Sequence, residues 1–433
     1  MKRLSRTLPA ATLVVGLGLL SACGGSSGGG TAASDASTVK GPIKIWLSNN
    51  TEELGWGKAM VASWNAAHPK EKITAQEIPA GKSSEEVIGA AITAGNAPCL
   101  IFNTAPAAVP QFQKQGGLVP LENFKGAVDY LKARSGATLD QYKSADGKHY
   151  QIPWKSYPVM IFYNKDIMKK AGVDPANPPL ATYDEFLATS RKIVKSGAAP
   201  AAIYPAPTSE FFQSWFDFYP LYAAESGGKQ LVEDGKATFD DPAGQSVAKF
   251  WSTLYAEKLA PNEKYNGDSF ADSKAAMSIV GPWAVAVYKG KVNWGVAPVP
   301  TSTGKSADQI STFSDAKNVA IYSSCKAQGT AWAVTKFATS KEQDGKLLEA
   351  TGQMPLRTDL PTAYPDYFAK NPDYKLFAAQ AARTVEVPNV SSSIEIWQAF
   401  RDEWTKSVIF AKAPVDASMT AAAKKIDELA AQS

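Results

Sequence analysis

Short apolar runs alternate with longer amphipathic stretches along this chain, and polar or Gly/Pro breaks separate them. Ile43-Lys44-Ile45-Trp46-Leu47 is a β-favouring run that ends in polar Ser48-Asn49-Asn50-Thr51. Across residues 52–67 the apolar positions Leu54, Met60, Val61 and Trp64 recur roughly on one helical face, and His68-Pro69 ends the pattern. A second strand is predicted at 73–78, a helix at 83–94, and a third strand at 99–102 running into Asn103-Thr104. Strand, helix, strand, helix, strand is the signature of a parallel sheet covered by helices. Ligands of such open sheets sit beyond the carboxyl ends of the strands. Asn49, Asn50, Thr51, Asn103 and Thr104 occupy such ends.

A second α/β region follows Tyr150-Gln151-Ile152-Pro153, with strands predicted at 159–163, 275–280 and 292–298. Thr182-Tyr183-Asp184-Glu185 is a capping box, in which hydroxyl and carboxylate satisfy the free amides of a helix start. Residues 318–322 resemble the strands of the first region and precede a helix at 328–339. The C-terminal part reads as helices at 394–413 and 416–431.

The first residues follow another logic. Lys2, Arg3 and Arg6 lead into an apolar run at 8–20, which ends in small residues, the order of a secretory signal. That run, about thirteen residues, falls short of the roughly 20 that span a bilayer. Leu20-Ser21-Ala22-Cys23 is similar to the lipobox of bacterial lipoproteins, which implies removal of residues 1–22 and a lipid on Cys23. Residues 23–40 are nearly all Gly, Ser, Ala and Thr, the composition of a flexible tether. The expected location is the outer face of the cytoplasmic membrane.

Charge and cysteine narrow the classes. With Lys2, Arg3 and Arg6 removed, 45 − 3 = 42 bases face 41 acids, which argues against a nucleic-acid partner. Cys99 and Cys325 remain, either as a disulfide or as two separate buried thiols.

The search for catalysis returns little. The two histidines, His68 and His149, lack metal-site spacing, and neither a Gly-x-Ser-x-Gly elbow nor a phosphate loop is present. Glu52-Glu53, Glu85-Glu86 and Asp240-Asp241 read as solvated helix or turn faces. No catalytic residue, metal site or cofactor is expected. Aromatic residues make 10% of the chain, many of them beside polar residues and turns. Sugars lay flat C–H faces on such rings while their hydroxyls take hydrogen bonds. Trp283 follows a strand at the forced turn Gly281-Pro282-Trp283, which favours ligand contact. Trp215 lies on one of two aromatic stripes at 210–222, one core and one open to a cleft. Trp154 and Tyr157 flank Lys155 at the junction of the two regions, and Trp397 begins a helix after Ser391-Ser392-Ser393. Trp64, Trp251, Trp332 and Trp404 sit at helical spacing and are assigned to the core.

Several stretches together resemble family-1 extracellular solute-binding proteins of ABC importers, the group that includes maltose-binding proteins. They are Ala91 to Pro98, Ile152-Pro153-Trp154-Lys155-Ser156-Tyr157-Pro158 running into Tyr163-Asn164-Lys165, Ala275-Ala276-Met277 through Gly281-Pro282-Trp283, and Gly352-Gln353-Met354-Pro355-Leu356-Arg357. Lys155 stands where maltose binders tend to carry a carboxylate, and Cys99 where the family usually has Asp. The resemblance implies a type II periplasmic-binding-protein fold of two lobes, each a mainly parallel sheet flanked by helices, joined by a three-strand hinge. Residues 41–152 with 313–354 would form one lobe, and 155–310 with 358–433 the other. It also implies that the strand after Cys99 and the strand before Cys325 are neighbours in the first lobe, which favours the disulfide.

The implied function is capture of a carbohydrate, an oligosaccharide, and its delivery to an ABC permease by a monomer without enzymatic activity. Trp283, Trp215 and Tyr157 are expected to stack, with Trp397 a further candidate. Asn49, Asn50, Asn103, Lys155, Asp315 and Arg357 are expected to hold hydroxyls. A glycerophosphodiester or sugar-phosphate binder is the alternative, with Lys155 and Arg357 as anion partners. A surface glycosidase or an adhesin stands further off.

Overall fold

The computed structural model of the chain describes residues 36–48, 50–81, 83–205 and 212–431, and only the backbone of residues 52 and 212–215. Cys23, Asn49 and the side chain of Trp215 lie outside the described residues. The strands are β1 (Ile43–Leu47), β2 (Ile73–Glu77), β3 (Leu100–Thr104), β4 (Ile152–Lys155), β5 (Met160–Asn164), β6 (Ala201–Ile203), β7 (Val232–Glu233), β8 (Lys236–Ala237), β9 (Ala275–Val280), β10 (Trp294–Ala297), β11 (Thr312–Phe313), β12 (Lys317–Ile321) and β13 (Thr384–Val385).

Two sheets organise the molecule, one with the order β2-β1-β3-β12-β4 and the other β10-β5-β9-β6. In the first, β1 is parallel to β2 and β3, and β12 is antiparallel to β3 and β4. In the second, β5 opposes both β10 and β9 while β6 runs with β9. Each sheet is thus mainly parallel in direction, with one opposed strand. The cause is the same in both. β5 and β12 enter their sheets directly from the other lobe, whereas the remaining strands run toward the junction. The carboxyl ends of β1, β3, β4 and β9 therefore converge there.

The junction is built from three adjacent passages. Ser156 N donates to Met354 O at 3.0 Å, Leu356 N to Trp154 O at 2.8 Å, Val159 N to Phe313 O at 2.9 Å, and Asp315 N to Tyr157 O at 3.2 Å. β11 and β13 add a short parallel ladder beside them.

Local signals explain most elements. Asn50 caps the helix Thr51–Ala67 by accepting from Glu53 N. Thr182 and Glu185 form the anticipated reciprocal box on the helix Tyr183–Lys195. β5 is buried along its whole length, as a strand covered on both faces must be. The predicted helix 394–413 is shorter in fact: an α-helix at Ser393–Trp404 passes into a π turn at Thr405–Ile409. Apolar spacing continues through the turn, so periodicity could not mark the boundary. Trp64, Trp251, Trp332 and Trp404 are buried, and Trp397 joins Trp404 in the second-lobe core at 2% exposure.

Cys99 and Cys325 form a disulfide with their Cα atoms 4.5 Å apart. They flank the paired strands β3 and β12 and close a loop with a sequence separation of 226, which contains all of the second sheet. Closing so long a loop removes much unfolded-chain entropy. A Cys99→Ser/Cys325→Ser variant should lose roughly 2–4 kcal/mol of stability, read as a lower thermal midpoint. An unchanged midpoint would count against the crosslink as a stabilising element.

Candidate functional site

The junction gathers polar groups from three directions around Lys155, the last residue of β4. Its side chain is fully buried. Its ammonium donates to Glu53 Oε1 at 2.6 Å, Asn103 Oδ1 at 2.8 Å and Gln353 Oε1 at 2.8 Å. The Trp154 and Tyr157 rings cover it at 4.3 and 5.3 Å. Burial lowers its pKa to about 8, against the opposing pull of Glu53. Asn103 reaches it from a left-handed backbone, φ 67°, at the irregular end of the β3–β12 ladder. The Asn103 amide also donates to Ser48 Oγ at 3.2 Å, and Ser48 Oγ accepts from Asn50 N at 3.1 Å. Two strand ends are tied together in this way.

The aromatic wall comes from the second lobe. Tyr157 donates its hydroxyl to Gln353 Oε1 and is buried, which pushes that hydroxyl's pKa well up. Its ring lies 5.2 Å from Trp283, which is half-buried. Phe216 meets Trp283 edge-on at 6.2 Å and Phe313 at 5.6 Å. Trp283 folds back over Gly281, where a Cβ would come within 2.0 Å of the ring. Only glycine leaves room for that pose. Beside Phe216 opens a cavity of 400 Å³ lined by Tyr204, Asp268, Ser278, Val280 and Tyr288.

The remaining sequence candidates separate. Asp315 lies on a junction passage and pairs with Lys317 at 2.6 Å. Arg357 is held by Asp359 at 2.9 Å and Asp344 at 3.1 Å. Trp397 is enclosed in the second-lobe core, without an open face. Glu53, read from sequence as a solvated helix face, is buried at 5% exposure and pairs with Lys155. Gln353 and Phe216 were not singled out. A signal for Glu53 existed: a lysine inside the apolar run Ile152–Lys155 requires a buried acceptor, and Glu53 follows a strand end. Among the described residues no cluster of His, Cys, Asp or Glu could hold a metal ion.

Two lobes thus meet at three passages, where Tyr157, in contact with Trp283, lies over the polar cluster around Lys155. The chain belongs to the bacterial extracellular solute-binding protein family, whose pattern it matches over residues 48–345. It is 24% identical to the diacetylchitobiose binding protein DasA of Streptomyces coelicolor, over 96% of each chain. It is 26% identical to a maltooligosaccharide ABC transporter solute-binding lipoprotein of Streptococcus pneumoniae, over 63% of this chain and 65% of that one. The fold is shared with a cyclic alpha-maltosyl-1,6-maltose binding protein from Arthrobacter globiformis, with a TM-score of 0.78 and 20% identity, covering 91% of this chain and 100% of that chain. These likenesses define a type II periplasmic-binding-protein fold.

Proposed function

We propose that the protein captures a neutral carbohydrate, an oligosaccharide, between its lobes and delivers it to an ABC permease without transforming it. The observation that carries this is the Trp283–Tyr157–Phe216 wall facing a floor whose cations are already neutralised. Lys155 is matched by Glu53 and Lys317 by Asp315, while Arg357, outside that cluster, is held by Asp344 and Asp359. A phosphate-bearing ligand would need a free cation there, and this weighs against the glycerophosphodiester alternative. The 400 Å³ cavity beside Phe216 supports a ligand longer than one sugar ring. The names of the relatives, which mention diacetylchitobiose and maltooligosaccharides, support the same class.

Capture is by closure of residues 41–152 with 313–354 onto 155–310 with 358–433. The protein acts as a monomer, tethered to the outer face of the cytoplasmic membrane through lipid on Cys23 and the residues before Ala36. The tether expected at 23–40 ends there, because Ala36–Thr38 is a helical turn and Val39 O accepts from Gly329 N at 2.8 Å. A thermal-shift screen over mono-, di- and trisaccharides and glycerophosphocholine tests this, because a ligand that binds only the native state raises its stability. A saccharide should raise the midpoint and glycerophosphocholine should not; the reverse pattern sinks the proposal. Trp283→Ala should weaken binding of that saccharide at least tenfold, about 1.4 kcal/mol. An unchanged isotherm would remove Trp283 from the site.

A further inference from the structure

We infer that Lys155 is a positioning residue that sets the hydrogen-bonding polarity of the cleft floor and makes no contact with the ligand itself. The inference rests on the reading of this junction as the binding site. An ammonium has three protons, and here each has an acceptor, at 2.6, 2.8 and 2.8 Å. The group is fully buried beneath two aromatic rings. Nothing of it remains to meet a hydroxyl.

Its influence passes through the two carboxamides. A cation can only donate, so Asn103 and Gln353 must both turn their oxygens toward it. Their NH₂ groups then face the other way. Asn103 spends one N–H on Ser48, and Gln353 Oε1 accepts the Tyr157 hydroxyl as well. The buried charge thereby commits both amides as outward donors and, through Gln353, fixes the hydroxyl end of a wall residue. Glu53 Oε2 is buried in the same cluster, out of a ligand's reach. Amide donors turned away from the charge suit a polyol, whose hydroxyl oxygens accept hydrogen bonds. The three acceptors come from three different segments, so one charge orients groups that lie about 50, 100 and 350 residues into the chain.

Loss of the charge should free both amides to turn. Glu53 and Asp315 favour the charged form, while burial and Lys317 oppose it, leaving the pKa at about 8. Tyr157 adds no charge in this range, since burial raises its own pKa. At pH 9 about one molecule in ten would keep the proton.

The test uses the full chain. Lys155→Met alone strands the Glu53 carboxylate, so Glu53→Gln/Lys155→Met serves as the folded comparison. Backbone hydrogen exchange without ligand, at pH 7, should quicken at least tenfold in residues 100–105 and 353–357 of the double variant, whose thermal midpoint stays cooperative. With maltotriose as probe, wild-type affinity should fall about tenfold between pH 7 and pH 9, and the double variant should bind weakly at both. Unchanged exchange in both segments, or maltotriose binding in the double variant equal to wild type, overturns the inference. Wild-type protein that ignores maltotriose and every saccharide of the thermal-shift screen, while the exchange result holds, speaks against the carbohydrate reading alone.

Discussion

Arg134→Met should destabilise the protein by about 3–5 kcal/mol, the range for stripping one partner from a buried ion pair. Arg134 is 4% exposed and Asp344 is fully buried. The guanidinium grips Asp344 with two nitrogens and also donates to Thr339 O at 2.7 Å and Trp154 O at 3.2 Å. Removing it leaves a buried carboxylate with Arg357 alone, at 3.1 Å, and strands carbonyls at the end of a helix and on β4. Burial already pushes the Asp344 pKa up despite both arginines. Arg134→Lys keeps the charge but not the planar fork, and should recover only part of the loss. Thermal or urea unfolding measures both variants. A midpoint within error of wild type for Arg134→Met would show that this network does not hold the first lobe to the junction.

The second large effect concerns pH. Glu386 follows β13 at 2% exposure, and neither carboxyl oxygen has a hydrogen bond of normal geometry. Burial raises its pKa from 4.5 to about 8; Tyr142, Ser314 and Lys317 pull it down, and Asp315 pushes it up. The folded chain therefore holds a proton that the unfolded chain releases above 4.5. Its stabilising share is complete below 4.5 and drains away as pH rises to about 8. At 1.36 kcal/mol per unit, wild type should lose about 4 kcal/mol relative to Glu386→Gln between pH 5 and pH 8. Parallel stability curves for the two proteins would contradict the assignment. The position matters for function because Gln141, before the junction, accepts from Glu386 N at 3.0 Å and donates to Thr384 O at 3.1 Å. A charge formed there loads a contact between the passages.

Much of the fold was legible. Ile43–Leu47, Met160–Asn164 and Ala275–Val280 announced themselves as apolar runs, and Thr182 with Glu185 announced a helix start, because these are local choices of burial and backbone satisfaction. The partial exposure of Trp283 was legible for a similar reason: a glycine and a proline force a turn, and a ring after such a turn is hard to bury completely. Lys155 and Arg357 were read as open cations because sequence shows a charge and not its partner. Glu53 was missed since two adjacent acids on a helix look solvated. Trp397 was weighed as a ligand contact on the strength of the serines before it, which cap and turn the chain but do not say which face it covers.

Sequence alone determined most of the longer elements, the direction in which strands end, the family likeness and the aromatic supply, which are read from short stretches of neighbours. Tertiary structure decided which charges cancel and which rings stay open. Lys155 meets Glu53, Asn103 and Gln353 only after two lobes have folded and the chain has crossed between them. Electrostatic pairing and burial depend on distance in space, and no local pattern encodes a distance between residues hundreds of positions apart.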